Sequence, residues 1–156
     1  MNKIIIFPLL TLMMSLLSCG SNSKESMYAN ILAEQGEAGL VNKLVADNEF
    51  IDVDLYAVQS GIVSEDASRK SADEFRTDMA KAKAAIYRFY SHVSLVDGEY
   101  VLDNCTAKDL NISPELFETM SQDIEKSNGY AREARKNGEA VEMTPITQEY
   151  LESLLR

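Results

Sequence analysis

The chain has 156 residues, with 25 acidic side chains against 15 basic ones, a formal net charge of −10, one histidine, two cysteines and no tryptophan. That length fits one domain of ordinary size around a single core. The charge excludes nucleic acid as a partner, because its phosphates would repel the chain, and two cysteines cannot supply a disulfide framework.

Lys3 gives a positive start, and Ile4 to Leu17 form an apolar stretch interrupted by Pro8, Thr11 and Ser15. This is the layout of a secretory signal. The stretch falls short of the ~20 apolar residues that a spanning helix needs, and Pro8 weakens a continuous helix. The run Leu16, Leu17, Ser18, Cys19 follows: a leucine three residues before a cysteine, a tolerated residue, a small residue, then the cysteine. It resembles the signal of the bacterial lipoprotein family, over the N-terminal segment alone. The resemblance implies cleavage that removes residues 1–18, a diacylglycerol on the Cys19 sulfur and a further acyl chain on its new amine. Two or more acyl chains anchor stably where one binds marginally. Gly20 stands where an aspartate is associated with inner-membrane retention, so the resemblance implies the outer membrane rather than the inner. An ordinary secretory signal with an incidental cysteine is the alternative.

Residues 19–26 then read as the lipidated cysteine and a flexible polar tether, and 27–156 as one helical domain. Loss of Lys3 with retention of every acidic residue moves the charge from −10 to −11. With Cys19 lipidated, Cys105 has no disulfide partner.

Along the mature chain, Tyr28, Ile31, Leu32, Val41, Leu44 and Val45 recur at helical spacings, while Gly36 and Gly39 weaken the middle; one imperfect helix and two short ones both fit. Residues 50–62 fit either a strand (Ile51, Val53 and Leu55 alternating with Asp52 and Asp54) or a helix. Ser64 as N-cap, with Glu65 and Asp66 in the first turn, predicts a long helix from Glu65 to His92. Its apolar stripe is Phe75, Met79, Ala82, Ile86, Phe89 and Val93. A two-residue turn at Asp97-Gly98 would pair Leu95 with Tyr100 and Val93 with Leu102 in a hairpin. A plain loop competes and is slightly preferred, since a lone hairpin is marginal unless something packs on it. Thr106 to Leu110 reads as a short helix. Ser113 and Pro114 open another, with Leu116, Met120 and Ile124 buried, Asn128-Gly129 as a candidate break and Asn137-Gly138 as its end. A last helix starting near Thr144-Pro145 or Thr147 would bury Tyr150, Leu151, Leu154 and Leu155. The fold class is mainly α: a small bundle of about four helices, with the hairpin near Asp97-Gly98 as its one β element.

Four constellations bear on chemistry. Asp47, Glu49, Asp52 and Asp54 crowd one segment, but without the glycine-centred spacing of a calcium loop, so they read as a solvated acidic face. His92 closes an aromatic run and reads as a packing or capping residue, there being no nucleophile or carboxylate beside it in sequence. Cys105 would need nearby positive charge or a helix N-terminus to become reactive, and otherwise reads as a buried apolar side chain. The stretch from Thr106 to Leu116 has the look of a helix-turn-helix, but its second helix carries Glu115, Glu118, Asp123 and Glu125, which repel phosphates; it reads as a packing corner. Phosphate loops, dinucleotide fingerprints, serine elbows and metalloprotease helices are missing from the sequence, and no cofactor or metal is implied. The expected function is that of a cell-envelope lipoprotein, joined to the membrane by its anchor, that binds an envelope protein or a basic protein without catalysis. Neutralising a basic toxin or lytic enzyme, as an immunity or inhibitor protein, is one alternative. An enzyme using Cys105 or His92 is another.

Overall fold

The structure, a computed structural model, describes residues 23–60 and 71–156, with helical backbone running on from these through 6–22 and 61–63. Among the described residues, five helices and one antiparallel hairpin follow in the order α1 (Ile6–Ala46), α2 (Leu55–Val63), α3 (Ala72–Tyr90), β1 (Val93–Val96), β2 (Glu99–Leu102), α4 (Pro114–Lys136) and α5 (Gln148–Leu154). The expected mainly helical bundle with a short hairpin is the fold that forms.

α1 is two arms joined at Gly36. The glycine has φ 73° and ψ −171°, a region that is essentially closed to residues with a Cβ. Tyr28, before it, donates a 2.7 Å hydrogen bond to Glu49, after it. A straight helix would hold residues 21 apart in sequence about 30 Å apart, so the arms double back on each other. Tyr28 and Leu32 are buried on the first arm, and Leu40, Val41 and Leu44 on the second. Ser23 to Ser26, within the segment read as a flexible tether, are exposed helical residues of α1.

α3 starts later than the sequence suggests. Ser71 is extended, its hydroxyl accepts from the Glu74 N–H, and the Glu74 carboxylate accepts from the Ser71 N–H. This capping box fixes the first turn at Ala72. The Ser64 cap and the Glu65–Asp66 turn lie outside the described residues. The helix ends at Tyr90, two residues before His92. Of the expected stripe, Ala82, Phe89 and Val93 are buried, but the rest of the buried face differs. Ala80, Ala84 and Ala85 are fully buried in one cluster with Leu40, Val41 and Leu44, whereas Phe75, Met79 and Ile86 are only half-buried. Small side chains let α3 approach α1 closely, and a search for large apolar residues passes over them.

The ambiguous segment resolves into both readings. Ile51 forms an isolated parallel bridge with Ile112, and α2 begins four residues later. The hairpin forms in the register that pairs Val93 with Leu102 and Leu95 with Tyr100, around a turn with Asp97 and Gly98 both at positive φ. The plain loop loses because α4 packs on β2. The Asn128 carboxamide accepts from the Tyr100 N–H and donates to its C=O, both at 2.8 Å, and Arg132 pairs with Glu99 at 2.8 Å. Arg135 donates to the Gly98 carbonyl at 2.6 Å.

Ser113 and Pro114 open α4 as expected, but the helix runs straight through Asn128-Gly129. Asn128 is too occupied with β2 to break it. Gly138, at φ 79°, closes α4, with Glu139 N–H donating to Ala134 O and Gly138 N–H to Arg135 O. Thr147 caps α5 by accepting from the Tyr150 N–H. Only Leu151 of that helix is fully buried. Tyr150 is 41% exposed, its ring edge-on to Tyr90, and Leu154 and Leu155 are half-buried. Two turns of α5 are too short to sink four large side chains.

Candidate functional site

His92 and Cys105, far apart in the sequence reading, are brought into one corner. The Asp103 N–H donates to His92 O at 2.8 Å, and the Cys105 N–H to Asp103 O at 2.7 Å. Asp109 accepts from the N–H and hydroxyl of Thr106 at 2.8 and 2.7 Å. Those bonds hold the Asp109 carboxyl below its ordinary range, with smaller help from Lys108 and His92. The half-buried Cys105 thiol is pushed up, first by burial and then by Asp109 and Asp103. A nucleophilic thiol needs the reverse, a neighbouring positive charge. The expected helix over Thr106 to Leu110 is one hydrogen-bonded turn, ended by Asn111 at φ 52°. No helix N-terminus therefore faces Cys105.

The acidic run disperses on folding. Asp47, just past the end of α1, pairs with Lys43 in its last turn. Glu49 accepts from Tyr28 and lies 3.5 Å from Lys24. Burial and Glu49 together raise the Tyr28 phenol above its ordinary value. Asp54 caps α2, accepting from the N–H groups of Tyr56 and Ala57 at 2.9 and 3.0 Å. Among the described residues no group of three or more histidine, cysteine or carboxylate side chains is placed to hold a metal ion.

The corner that looks like a helix-turn-helix is tied to the Ile51 segment. Ile51 N–H donates to Asn111 O at 3.0 Å, and Ser113 N–H to Ile51 O at 2.9 Å. Both bonds cross from one loop to another and serve packing.

Arg88 is the residue that sequence reading missed. Its side chain is buried, and its guanidinium donates to Glu49 O at 2.8 Å, Leu110 O at 3.2 Å, Asn111 O at 3.4 Å and Leu44 O. Leu44 lies in the last turn of α1, where carbonyls lack helical partners and favour positive charge. Burial lowers the Arg88 pKa, and Glu49 opposes this. One cation thus joins α1, α3 and the loop before α4. The only signal in the sequence was a basic residue on the apolar side of a helix.

Two concave surfaces stand out among the described residues. An acidic cleft of about 400 Å³ lies between the first arm of α1 and the start of α3, with Glu25, Asp73, Glu74 and Asp78 against Lys81. An apolar groove of about 290 Å³ lies between α2, α3 and α4, built on Leu55, Val58, Met79, Ala82 and Ile86. Tyr56, 55% exposed, stands on its rim, and Lys83, Thr119 and Asp123 supply polar edges. Met79, Ala82 and Ile86, from the stripe that the sequence assigns to the core, are the floor of this groove. Such a surface suits apolar side chains offered by another chain, with a few polar groups to fix direction. Among the described residues no helix is long and apolar enough to cross a membrane. Compared with known proteins, the chain matches no family model, no curated protein and no solved structure.

Proposed function

We propose that this protein is a cell-envelope lipoprotein, anchored through Cys19 in the outer membrane, that acts by binding an envelope protein. The observation that carries the binding reading is the groove between α2, α3 and α4, with Met79 and Ile86 half-buried at its floor and Tyr56 exposed at its rim. Its occupant is an apolar stretch of the partner, and the chain's net charge of −10 favours a partner that is basic elsewhere. The Leu16–Cys19 run supports the address. The raised Cys105 thiol weighs against a cysteine enzyme.

A second reading has its own observation. In the cleft between α1 and α3, four carboxylates stand against one lysine, which suits a basic toxin or lytic enzyme neutralised in the periplasm. Opposite charge would speed that encounter.

The address and the binding are tested together in intact envelopes. The wild-type chain incorporates acyl label and fractionates with membranes. Cys19→Ala loses the label and is released. A photoreactive group replacing Tyr56 in the lipidated protein captures one envelope protein, whereas labelling that persists in Cys19→Ala removes the anchor. Capture from the acidic cleft instead of from Tyr56 selects the inhibitor reading.

A further inference from the structure

The hairpin has two edges, and α4 has closed only one of them. Around a two-residue turn the closing pair Val96↔Glu99 exchanges hydrogen bonds, and the next pair, Leu95↔Tyr100, points its main-chain groups outward. On the β2 side those outward groups of Tyr100 both meet the Asn128 carboxamide, which stands in for a third strand. On the β1 side, among the described residues, nothing donates to or accepts from the main chain of Leu95. Leu95 is half-buried and its neighbours Ser94 and Val96 are exposed.

Proteins blunt such edges with lysine, proline, a bulge or a cover. β1 reads Val-Ser-Leu-Val and carries none of these residues. Its own segment, residues 93–107, includes Asp97, Glu99 and Asp103 and no lysine or arginine; Arg132 and Arg135 of α4 meet Glu99 and the turn on the β2 side, which leaves Asp97 and Asp103 as the acidic groups for the β1 edge. Asp97 follows β1 in the turn, and Asp103 meets His92 at the other end. Both are exposed.

We propose that the outer edge of β1 accepts an extended segment of a basic partner protein as a third strand, with main-chain bonds to Leu95 and basic side chains toward Asp97 and Asp103. Strand addition gains affinity from main-chain bonds and specificity from alternate side chains. A second copy of this chain could pair there only against the mutual repulsion of two chains of net charge −10. The inference shares with the groove reading only that the partner is a protein. The two surfaces can be told apart residue by residue.

The test is amide hydrogen exchange on the intact lipidated protein in detergent, with a peptide of alternating lysine and valine as probe. Millimolar peptide should slow exchange at Leu95 by at least about tenfold while the ladder amides of Ser94 and Val96 change little. Leu95→Pro, which removes an N–H the hairpin does not use, should abolish peptide binding as read by calorimetry. Val96→Lys, which adds a like charge beside the edge and leaves every main-chain group intact, should weaken peptide binding by about tenfold with unchanged melting. Exchange at Leu95 that ignores the peptide overturns the proposal. So does peptide binding that perturbs Tyr56 and Ile86 instead, which would leave the groove reading standing. Protection that grows with protein concentration alone assigns the edge to a second copy and overturns the foreign strand. Acyl labelling of Cys19 is independent of all these outcomes.

Discussion

The two flanks of α3 are packed by different means. Against α1 it sets Ala80, Ala84 and Ala85, all fully buried, and then Arg88, whose guanidinium is spent on four carbonyls. Against α2 it sets Met79 and Ile86, larger and only half-buried, which leave a groove. Larger apolar side chains would ordinarily mark the deeper face. Here the deeper face is the one with the smaller residues, because close approach of two helices needs small side chains at the contact. The flank that looks more like core in sequence is the one left as an open groove.

Arg88→Met should give the largest loss, because it removes a donor from four carbonyls at once, of which only those of Leu44 and Asn111 keep a main-chain donor. Each buried carbonyl left without a donor costs about 1–3 kcal/mol, so the loss should be about 2–5 kcal/mol. Chemical denaturation of the unlipidated chain would measure it. A loss below about 1 kcal/mol would mean that water satisfies those carbonyls, and that the α1–α3 flank does not depend on the arginine.

Ala84→Leu comes next. The alanine has no exposed surface, and the added carbons must push α3 off Leu40 and Leu44. Overpacking of this kind costs about 1–3 kcal/mol. Met79→Leu, a swap of similar volume on the groove floor, is the matched control and should move the denaturation midpoint little. Equal losses from the two would erase the distinction between the flanks.

Local chemistry was legible in the sequence, and distant chemistry was not. Ser113-Pro114, Asn137-Gly138 and Thr147 were read correctly because a cap acts within its own turn. Asp97-Gly98 was legible as a turn, yet the hairpin was underrated, because its support comes from Asn128 and Arg132 on α4, some thirty residues on. Asn128-Gly129 looked like a break for the same reason: the asparagine's partner is a strand that the local sequence does not show. Arg88 and the alanines were passed over because a search for large apolar residues at helical spacing cannot register a small or charged residue that is buried. The sequence reads His92 and Cys105 as packing residues, with an enzyme using either as the alternative, and the fold brings them into one corner. The sign of the field there, set by Asp103 and Asp109, depends on a turn that the sequence suggested was a helix.

Ile86→Ala is the smallest effect and the most informative about the groove. A fully buried isoleucine cut to alanine costs about 2–5 kcal/mol, through lost transfer energy and an unfilled cavity. Ile86 already borders an open groove, so its removal widens a space that solvent enters and leaves no sealed cavity. The expected loss is therefore about 1 kcal/mol. Cross-linking from Tyr56 should fall much more than stability does, since the partner would lose the floor it rests on. A loss near the upper end of the buried range would show the groove to be closed in solution. In that case α2 is packed as tightly on α3 as α1 is, and the binding surface must be sought at the acidic cleft or along β1.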